Sequence, residues 1–306
     1  MTKDTIVDKI LRLKKEKEAI ILAHNYQRGE IQDIADYVGD SIDLCRKAVE
    51  EDAKIIVFSA VDFMAESAAI LNPKKRVLLP SPSARCPMAQ MLPSEQVSLW
   101  KKKYPKIPVV LYVNTLAEAK AHCAVCCTSA NATEIIEAVN GDTVLFGPDS
   151  NLAWHAQQTT GKKVIPIPKR GFCPVHVLFL EEDIKLLKQG HPDAVVLVHP
   201  ECSPEVQSLA DLVGSTSQMC RYAAKSSARK HIIATEVDLI HRLRKENPRK
   251  EFIPAYDGAI CTNMKPNTLE RIYLSLKEEK SHIRVPNAVA RKARMALEEM
   301  FSIVEA

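Results

Sequence analysis

The chain has 306 residues, 46% of them hydrophobic, and its 42 basic and 38 acidic residues leave a formal net charge of +4. This length and composition suit one large or several small globular domains with buried cores. The basic residues are scattered without interleaved aromatic residues, which argues against a nucleic-acid partner. No apolar run is long enough to cross a bilayer or to act as a signal peptide, so we predict a cytoplasmic protein with no membrane partner.

The chain contains nine cysteines, which need an explanation in such a protein. Cytoplasmic thiols stay reduced, and disulfide staples are not expected in a domain of this size. We therefore expect some of the cysteines to be metal ligands. Their positions relative to the predicted strands and helices indicate which ones.

The first predicted unit begins with a charged segment that has apolar residues at helical spacing, followed by three strand-like apolar runs. The first run, AIILAHNY, contains His24, the second is KIIVFSA, and the third, VLLPSPSARC, ends in a loop at Cys86. Amphipathic segments such as GEIQDIADYV separate the runs. Short apolar runs that alternate with amphipathic segments predict strands that alternate with helices.

The same order of segments recurs twice along the chain. In the second unit the runs PVVLYVNT, DTVLFGP and VIPIPKRGFC contain Tyr112 and Cys173 at the equivalent positions. In the third unit the runs AVVLVHPE, HIIATEV and FIPAYDGAIC contain His199 and Cys261. The last segment, residues 286–306, is predicted to be a helix that packs back on the body of the protein.

The recurrence has a fixed period, because Cys86, Cys173 and Cys261 are 87 and 88 residues apart. Such a period indicates three copies of one structural unit, which we assign to residues 1–106, 107–193 and 194–306. Each unit reads as a parallel α/β sheet with helices on both faces. Ligands bind such sheets beyond the carboxyl ends of the strands. If the units pack around a pseudo-threefold axis, their equivalent residues converge on one central cavity.

The three recurring cysteines are the strongest candidates for metal ligands. A single cysteine is more often a small buried hydrophobic residue, but three at the same offset favour joint ligation. Three thiolates suit an iron–sulfur cluster or zinc. Structural zinc needs a fourth protein ligand, and no further ligand residue recurs at equivalent positions of the three units. We therefore favour a 4Fe-4S cluster held by Cys86, Cys173 and Cys261, whose open iron acts as a Lewis acid in a dehydration.

Polar residues at the other recurring positions are candidates for substrate binding and proton transfer. Ser41, Ser129 and Thr216 correspond in the three units and are predicted as helix N-caps. Helix N-termini also bind carboxylate or phosphate, so an anion site remains an open alternative. The strand ends contribute candidate acid–base and substrate-orienting groups, namely His24, Asn25, Tyr26, Tyr112, Asn114, His199 and Glu201.

The remaining cysteines recur in no other unit. Cys123 and Cys126 form a CxxC pair, which without a second pair is incomplete as a zinc site. We predict that these two and Cys127 lie in a helical stretch as buried or incidental thiols. The others, Cys45, Cys202 and Cys220, are predicted to be packing residues. The chain contains no glycine-rich nucleotide motif, so nucleotide cofactors are not indicated.

The motifs AHNYQ, GDS, SARCPMA, YVNT, TSAN, GPDSNLA, GFCPVH, HPEC, GSTSQM and CTNMKPNTLE occur in this order along nearly the whole chain. In this pattern the sequence resembles the quinolinate synthase (NadA) family of NAD biosynthesis. The resemblance implies three Rossmann-like domains around an oxygen-sensitive 4Fe-4S cluster. It implies a condensing and dehydrating transferase that converts iminoaspartate and dihydroxyacetone phosphate into quinolinate, phosphate and water. Iminoaspartate would come from an aspartate oxidase or dehydrogenase.

Carried over by motif, the resemblance implies the three recurring cysteines as cluster ligands. It implies a substrate site lined by His24, Ser41, Tyr112, Val113, Asn114, Ser129, His199, Pro200, Glu201 and Thr216. From the strand-end positions we predict Glu201, His199, Tyr26 and Tyr112 as the catalytic groups, without assigning a proton to each. Two alternatives stay open: another iron–sulfur hydro-lyase acting on a polycarboxylate, or a non-catalytic iron–sulfur or zinc protein.

Overall fold

The computed structural model describes residues 3–305, which form three parallel four-stranded sheets flanked by helices. The predicted α/β class with three Rossmann-like units is confirmed. Residues 1, 2 and 306, which the predicted first and third units include, lie outside the described residues. The boundaries proposed between the units stay a prediction.

The three sheets share one strand order, in which the first strand of each unit lies between the second and the third and the fourth forms the far edge. In chain order the strands are β1 (Ala19–His24), β2 (Tyr37–Gly39), β3 (Ile55–Ser59) and β4 (Arg76–Leu78) in the first sheet, β5 (Val109–Tyr112), β6 (Val125–Cys127), β7 (Thr143–Gly147) and β8 (Lys163–Pro166) in the second, and β9 (Val195–Val198), β10 (Leu212–Val213), β11 (Lys230–Ala234) and β12 (Glu251–Pro254) in the third. The central strands are almost wholly buried, as is typical of parallel sheets covered on both faces.

The second strand of each unit differs from the prediction. We expected helical sequence before Ser129, but β6 occupies this position and pairs with β5. Its equivalents β2 and β10 pair with β1 and β9 in the same way. Strands of two or three residues are too short to produce a recognisable alternation of polar and apolar residues. Cys126 and Cys127 are therefore buried strand residues, with the Sγ atom of Cys126 3.9 Å from that of Cys123.

Helices connect the strands and cover the sheets. They are α1 (Lys3–Glu16), α2 (Gly29–Ile34), α3 (Ser41–Glu50), α4 (Asp62–Leu71), α5 (Pro87–Gln90), α6 (Ser94–Lys103), α7 (Ala117–Lys120), α8 (Ala132–Ala138), α9 (Ser150–Thr160), α10 (Glu181–Gly190), α11 (Pro204–Gln207), α12 (Thr216–Lys225), α13 (Leu239–Glu246), α14 (Leu269–Glu278) and α15 (Asn287–Val304). None of these helices is long and apolar enough to cross a membrane.

The last two helices return to the first two units. Helix α14 packs against α1 and β3, and α15 packs against α4, α7, α8 and β6. The predicted C-terminal helix is thus confirmed, and its buried face, including Leu297 and Met300, joins the apolar core shared by the first two units. Cys45, Cys202 and Cys220 are buried, as predicted for packing residues, and the last two belong to apolar clusters of the third unit.

The three cysteine loops lie where the units meet. Cys86 borders the core of the first two units, whereas Cys173 and Cys261 border both that core and the core of the third unit. Because each loop follows the carboxyl end of a parallel strand, the fold directs all three toward the same region. This region contains the candidate site.

Candidate active site

One cavity of about 200 Å³ lies at the carboxyl ends of the three sheets. Residues from every unit line it, and twelve of the fifteen candidate residues belong to this lining, all except Asn25, Val113 and Pro200. The twelve are His24, Tyr26, Ser41, Cys86, Tyr112, Asn114, Ser129, Cys173, His199, Glu201, Thr216 and Cys261. The period found in the sequence therefore identifies residues that are far apart in the chain and adjacent in the fold.

Val113 and Pro200 were predicted to line the site but do not belong to the cavity lining. Both residues follow the end of a strand, Val113 in a bend and Pro200 in a turn. The backbone N–H of Val113 donates to the carbonyl oxygen of Cys127 at 2.8 Å. The carbonyl oxygen of Pro200 accepts from Nε2 of Gln207 at 2.9 Å. Their backbone groups therefore help to hold the strand ends in place.

Glu201 is the centre of a buried polar network that joins two sheets. Oη of Tyr112 donates to its Oε1 at 2.7 Å, and Nδ2 of Asn114 lies 3.5 Å from the same oxygen. Nδ1 of His176 is 2.7 Å from Oε2 of Glu201, and Nδ1 of His199 is 3.8 Å from it. Burial opposes ionisation, but His199, His176 and the hydrogen bonds outweigh it and lower the pKa of Glu201 to about 2.

Burial also holds two histidines and two tyrosines around the cavity in their neutral forms. Burial lowers the pKa of His24 and of His199 to about 3, so both imidazoles are uncharged at neutral pH. Burial, reinforced by Glu201, raises the pKa of Tyr26 and of Tyr112 well above its usual value. The phenols therefore remain protonated and can donate hydrogen bonds to Glu201 or to a ligand.

A second network connects Tyr26 with His176 and Thr235. Oη of Tyr26 lies 2.7 Å from Oγ1 of Thr235, which is 2.8 Å from Nε2 of His176. The His176 ring is stacked on His199 with the ring centroids 4.3 Å apart. Since Nδ1 of His176 contacts Glu201, one imidazole connects the two polar networks.

Sequence reasoning missed His176, Thr235 and Asp40. His176 follows Cys173 by three residues in a short 3₁₀ turn, whereas Ala89 and Met264 occupy the same offset after the other two cysteines. The repeat therefore gave no signal for it. The signal that remained was a histidine within a cysteine loop, a residue type that is seldom fully buried without a partner.

The helix starts differ from the prediction by one or two residues. Asp40, not Ser41, caps α3 by accepting from the backbone N–H groups of residues 42 and 43 at 3.2 Å. Ser215, not Thr216, caps α12 in a capping box with Gln218. Asn131 precedes α8 and makes no side-chain cap bond, so Ser129 lies outside that helix. An acidic or hydroxyl residue one position earlier accepts the N-terminal amides better, because the cap has non-helical backbone.

This displacement leaves Ser41 and Thr216 as the first residues of α3 and α12, where they line the cavity. Oγ1 of Thr216 accepts from Nδ2 of Asn25 at 2.8 Å. Oγ of Ser215 donates to Oδ2 of Asp40 at 2.9 Å, which ties the two helix starts together. Two helix N-termini, with their partial positive charge, thus border the cavity.

The three candidate ligand cysteines are free thiols that border this cavity. Burial raises the pKa of Cys86 and of Cys173 well above its usual value, and that of Cys261 to about 11. Each thiol lies close enough to a second one to influence its ionisation electrostatically. Partly buried thiols of this kind become thiolates when a metal group binds them.

The third cysteine loop is held by residues from the first unit. Nε2 of Gln27 donates to the carbonyl oxygen of Met264 at 3.0 Å, and Arg28 donates to the carbonyl oxygen of Asn267 at 3.0 Å. Lys265 contacts the carbonyl oxygen of Tyr26 and forms an ion pair of 2.7 Å with Glu236. The loop that contains Cys261 is therefore anchored across the junction of units one and three.

Comparison with known proteins gives one consistent result. The model of the family described as quinolinate synthetase A protein (NadA) matches residues 8–302. A protein of Methanothermobacter thermautotrophicus named quinolinate synthase is 53% identical over 297 residues, which cover 97% of each chain. Proteins of the same name from Pyrococcus horikoshii and Dehalococcoides mccartyi are 51% and 50% identical, over 97% and 99% of this chain and 99% and 100% of theirs.

Proposed function

Because this chain belongs to the quinolinate synthetase A family, we propose that it is a quinolinate synthase of NAD biosynthesis. It condenses iminoaspartate with dihydroxyacetone phosphate and releases quinolinate, phosphate and water. The observation that carries this proposal is the cavity in which three cysteines, two helix N-termini and the Glu201 network from three sheets meet. The protein works in the cytoplasm and receives its imine from an aspartate oxidase or dehydrogenase.

The donor set fits a 4Fe-4S cluster held by Cys86, Cys173 and Cys261. Among the described residues, Cys173, His176 and Glu201 form a group of possible metal ligands whose donor atoms all lie within 4.8 Å of one another. Cys86 and Cys261 are not part of this group. One zinc ion holds its thiolates about 4 Å apart. Three soft donors that are spread more widely around a shared cavity suit a larger, polynuclear group.

The tight group of Cys173, His176 and Glu201 is better explained without a metal. The 2.7 Å between Nδ1 of His176 and Oε2 of Glu201 is a hydrogen-bond distance. Nε2 of His176 is engaged by Thr235. These contacts favour roles of His176 and Glu201 in proton transfer rather than in ligation.

When bound, the cluster supplies one iron without a protein ligand, a Lewis acid that can activate a hydroxyl for elimination. The chain's own residues bind and align the substrates. Both substrates are anions, and the first turns of α3 and α12 offer the hydroxyls of Ser41 and Thr216 together with the N-terminal backbone N–H groups that the Asp40 and Ser215 caps leave unbonded. Ser129 adds a third hydroxyl from the second unit. These groups hold the carboxylates of iminoaspartate and the phosphate of the triose in reactive proximity.

Glu201 acts as the base that moves protons during isomerisation and ring closure. Its lowered pKa keeps the carboxylate ionised at neutral pH, ready to accept a proton. Tyr112 and Asn114 orient it through Oε1, whereas His176 contacts Oε2. Neutral His24 and His199 act as hydrogen-bonding groups that orient the substrate, since neither carries a charge at this pH.

Tyr26, which also lines the cavity, is positioned to donate a proton to a bound substrate. Its phenol remains protonated and contacts Thr235, which bonds His176 in turn. A proton that Tyr26 gives up can be replaced along this chain of hydrogen bonds. The arrangement supports a donor at Tyr26 and an acceptor at Glu201 on the same substrate.

The test is an anaerobic assay of the iron-reconstituted protein with iminoaspartate and dihydroxyacetone phosphate. We expect quinolinate and phosphate to form in equal amounts, and neither to form when one substrate is omitted. An intact cluster with no pyridine product would contradict the proposal and favour a hydro-lyase that acts on another polycarboxylate. Zinc instead of iron in the purified protein would favour a non-catalytic role.

A further inference from the structure

The backbone amide of a candidate ligand cysteine is hydrogen-bonded to a carboxylate in two of the three units. The N–H of Cys86 donates to Oδ1 of Asp62 at 3.1 Å. The N–H of Cys261 donates to Oε1 of Glu236 at 3.0 Å. Both acids follow the third strand of their unit, so they approach the cysteine loop from the neighbouring strand end.

Asp149 occupies the corresponding place in the second unit. Asp62, Asp149 and Glu236 are spaced by 87 residues, the period of the repeat. Oδ1 of Asp149 caps α9, and its fully buried Oδ2 has no hydrogen-bond partner.

The Cys173 loop is also fastened beside Asp149. Gly171 lies so close to Pro148 that a Cβ atom there would be 1.8 Å from the Pro148 carbonyl oxygen. The backbone N–H and Oγ of Ser150 both donate to the carbonyl oxygen of Gly171 at 2.8 Å. In the chain, Asp149 therefore lies between Pro148 and Ser150, which both contact Gly171, two residues before Cys173.

The carboxylates of Asp62 and Glu236 are held in place by further contacts, so they can fix the position of the cysteine N–H that each accepts. Oδ1 of Asp62 also accepts from the backbone N–H of Phe63 at 2.9 Å. Oε2 of Glu236 accepts from the backbone N–H of Asp238 at 2.9 Å, and Oε1 pairs with Lys265 at 2.7 Å. A buried N–H left without an acceptor would be destabilising, so each bond favours one loop conformation.

Negative charge beside metal-bound thiolates is electrostatically unfavourable, so charge is not a reason for these acids to be there. Asp62 has Arg85 3.6 Å away and Glu236 has Lys265, and both cations offset the charge. The property that Asp62 and Glu236 share is acceptance of the cysteine N–H. An amide side chain of the same shape keeps such an acceptor, whereas alanine removes it.

We propose that Asp62 and Glu236 are positioning residues, each of which orients one cysteine loop toward the shared metal centre by accepting the backbone N–H of its cysteine, and that Asp149 is their equivalent in the second unit. This inference rests on the proposed function, since it concerns the cluster assigned there. Groups that orient ligands from behind typically change metal retention by tenfold or more when removed.

The experiment compares full-length Asp62→Ala and Asp62→Asn after anaerobic reconstitution with iron and sulfide. Cluster loss to an iron chelator is followed by absorbance near 400 nm. We expect Asp62→Ala to lose its cluster at least about tenfold faster than wild type, and Asp62→Asn to stay within about threefold. Glu134→Ala, at an exposed acid in the first turn of α8, is the matched control and should behave as wild type.

The pair Glu236→Ala and Glu236→Gln repeats the comparison in the third unit, and thermal unfolding of cluster-free protein shows that each variant folds. If both alanine variants retain the cluster as well as wild type does, this inference is overturned but the proposed function is not. Equally fast loss in Asp62→Ala and Asp62→Asn would overturn the acceptor role. A wild-type protein that takes up no iron would overturn the proposed cofactor and this inference with it.

Discussion

The phenol of Tyr112 and the carboxylate of Glu201 come from different sheets and are joined by a buried hydrogen bond of 2.7 Å. The bond forms because β5 and β9 direct their carboxyl ends into one cavity. Tyr112 and His199 are equivalent positions of the repeat, and Glu201 follows His199 by two residues and lines the same cavity. The symmetry of the fold thus brings different side chains into contact at its centre.

Replacing Glu201 should remove the base while preserving the site. Glu201→Gln keeps an oxygen for Tyr112 but cannot accept a proton at neutral pH. We expect the rate of quinolinate formation to fall about 10²- to 10⁴-fold, with unchanged iron content. Steady-state kinetics and iron analysis measure both. The matched control, Glu205→Gln at an exposed position, should keep full activity, and near-normal turnover of Glu201→Gln would remove Glu201 from the mechanism.

The hydroxyl of Thr235 should matter through Tyr26 and His176. Thr235→Val keeps the shape of the side chain but removes the oxygen that lies 2.7 Å from Tyr26 and 2.8 Å from His176. We expect kcat to fall by about tenfold or more with little change in KM. Thr235→Ser, which keeps the hydroxyl, should retain most of the activity. Equal kcat values for the two variants would show that the hydroxyl has no part in proton transfer.

The sequence predicted this centre well where the units repeat and poorly where they diverge. Cys86, Cys173 and Cys261 could be identified because they occupy equivalent positions in three repeated units. Their regular spacing of 87 and 88 residues is visible in the sequence. His176 was missed because only the second unit has it. Val113 and Pro200 were included with their neighbours because a motif does not say on which side a residue lies. The strand β6 was missed because three residues are too few to show the alternation of polar and apolar residues that indicates a strand.

The stability of the cluster-free protein should decrease as the pH falls from 7.5 to 5.5. His24 and His199 have a pKa of about 3 when folded and 6.5 when unfolded, so the unfolded state takes up more protons in this range. At pH 5.5 each histidine lowers the free energy of unfolding by about 1.4 kcal/mol relative to high pH. Denaturant unfolding of wild type and His199→Gln measures the difference. If the variant shows the wild-type pH dependence, His199 is not buried in its neutral form.

The three recurring cysteines should differ from the other cysteines in their effect on iron binding. Cys86→Ser, Cys173→Ser and Cys261→Ser should each fail to assemble a stable cluster, because a three-ligand site tolerates no loss. Cys220→Ser, a buried position outside the cavity, is the control and should bind iron as wild type does. Iron and sulfide analysis after reconstitution makes the comparison, and normal iron content in any of the three variants would refute that ligand.

The proposed chemistry requires that three units supply one cysteine each to a single cluster and leave one iron open to the substrate. Mössbauer spectroscopy of the ⁵⁷Fe-loaded protein, with and without quinolinate, distinguishes that iron from the others. We expect about four irons per chain, of which one changes its spectrum when quinolinate binds while the other three do not. Irons that all remain unchanged by quinolinate, or a catalytically active protein without iron, would contradict this proposal.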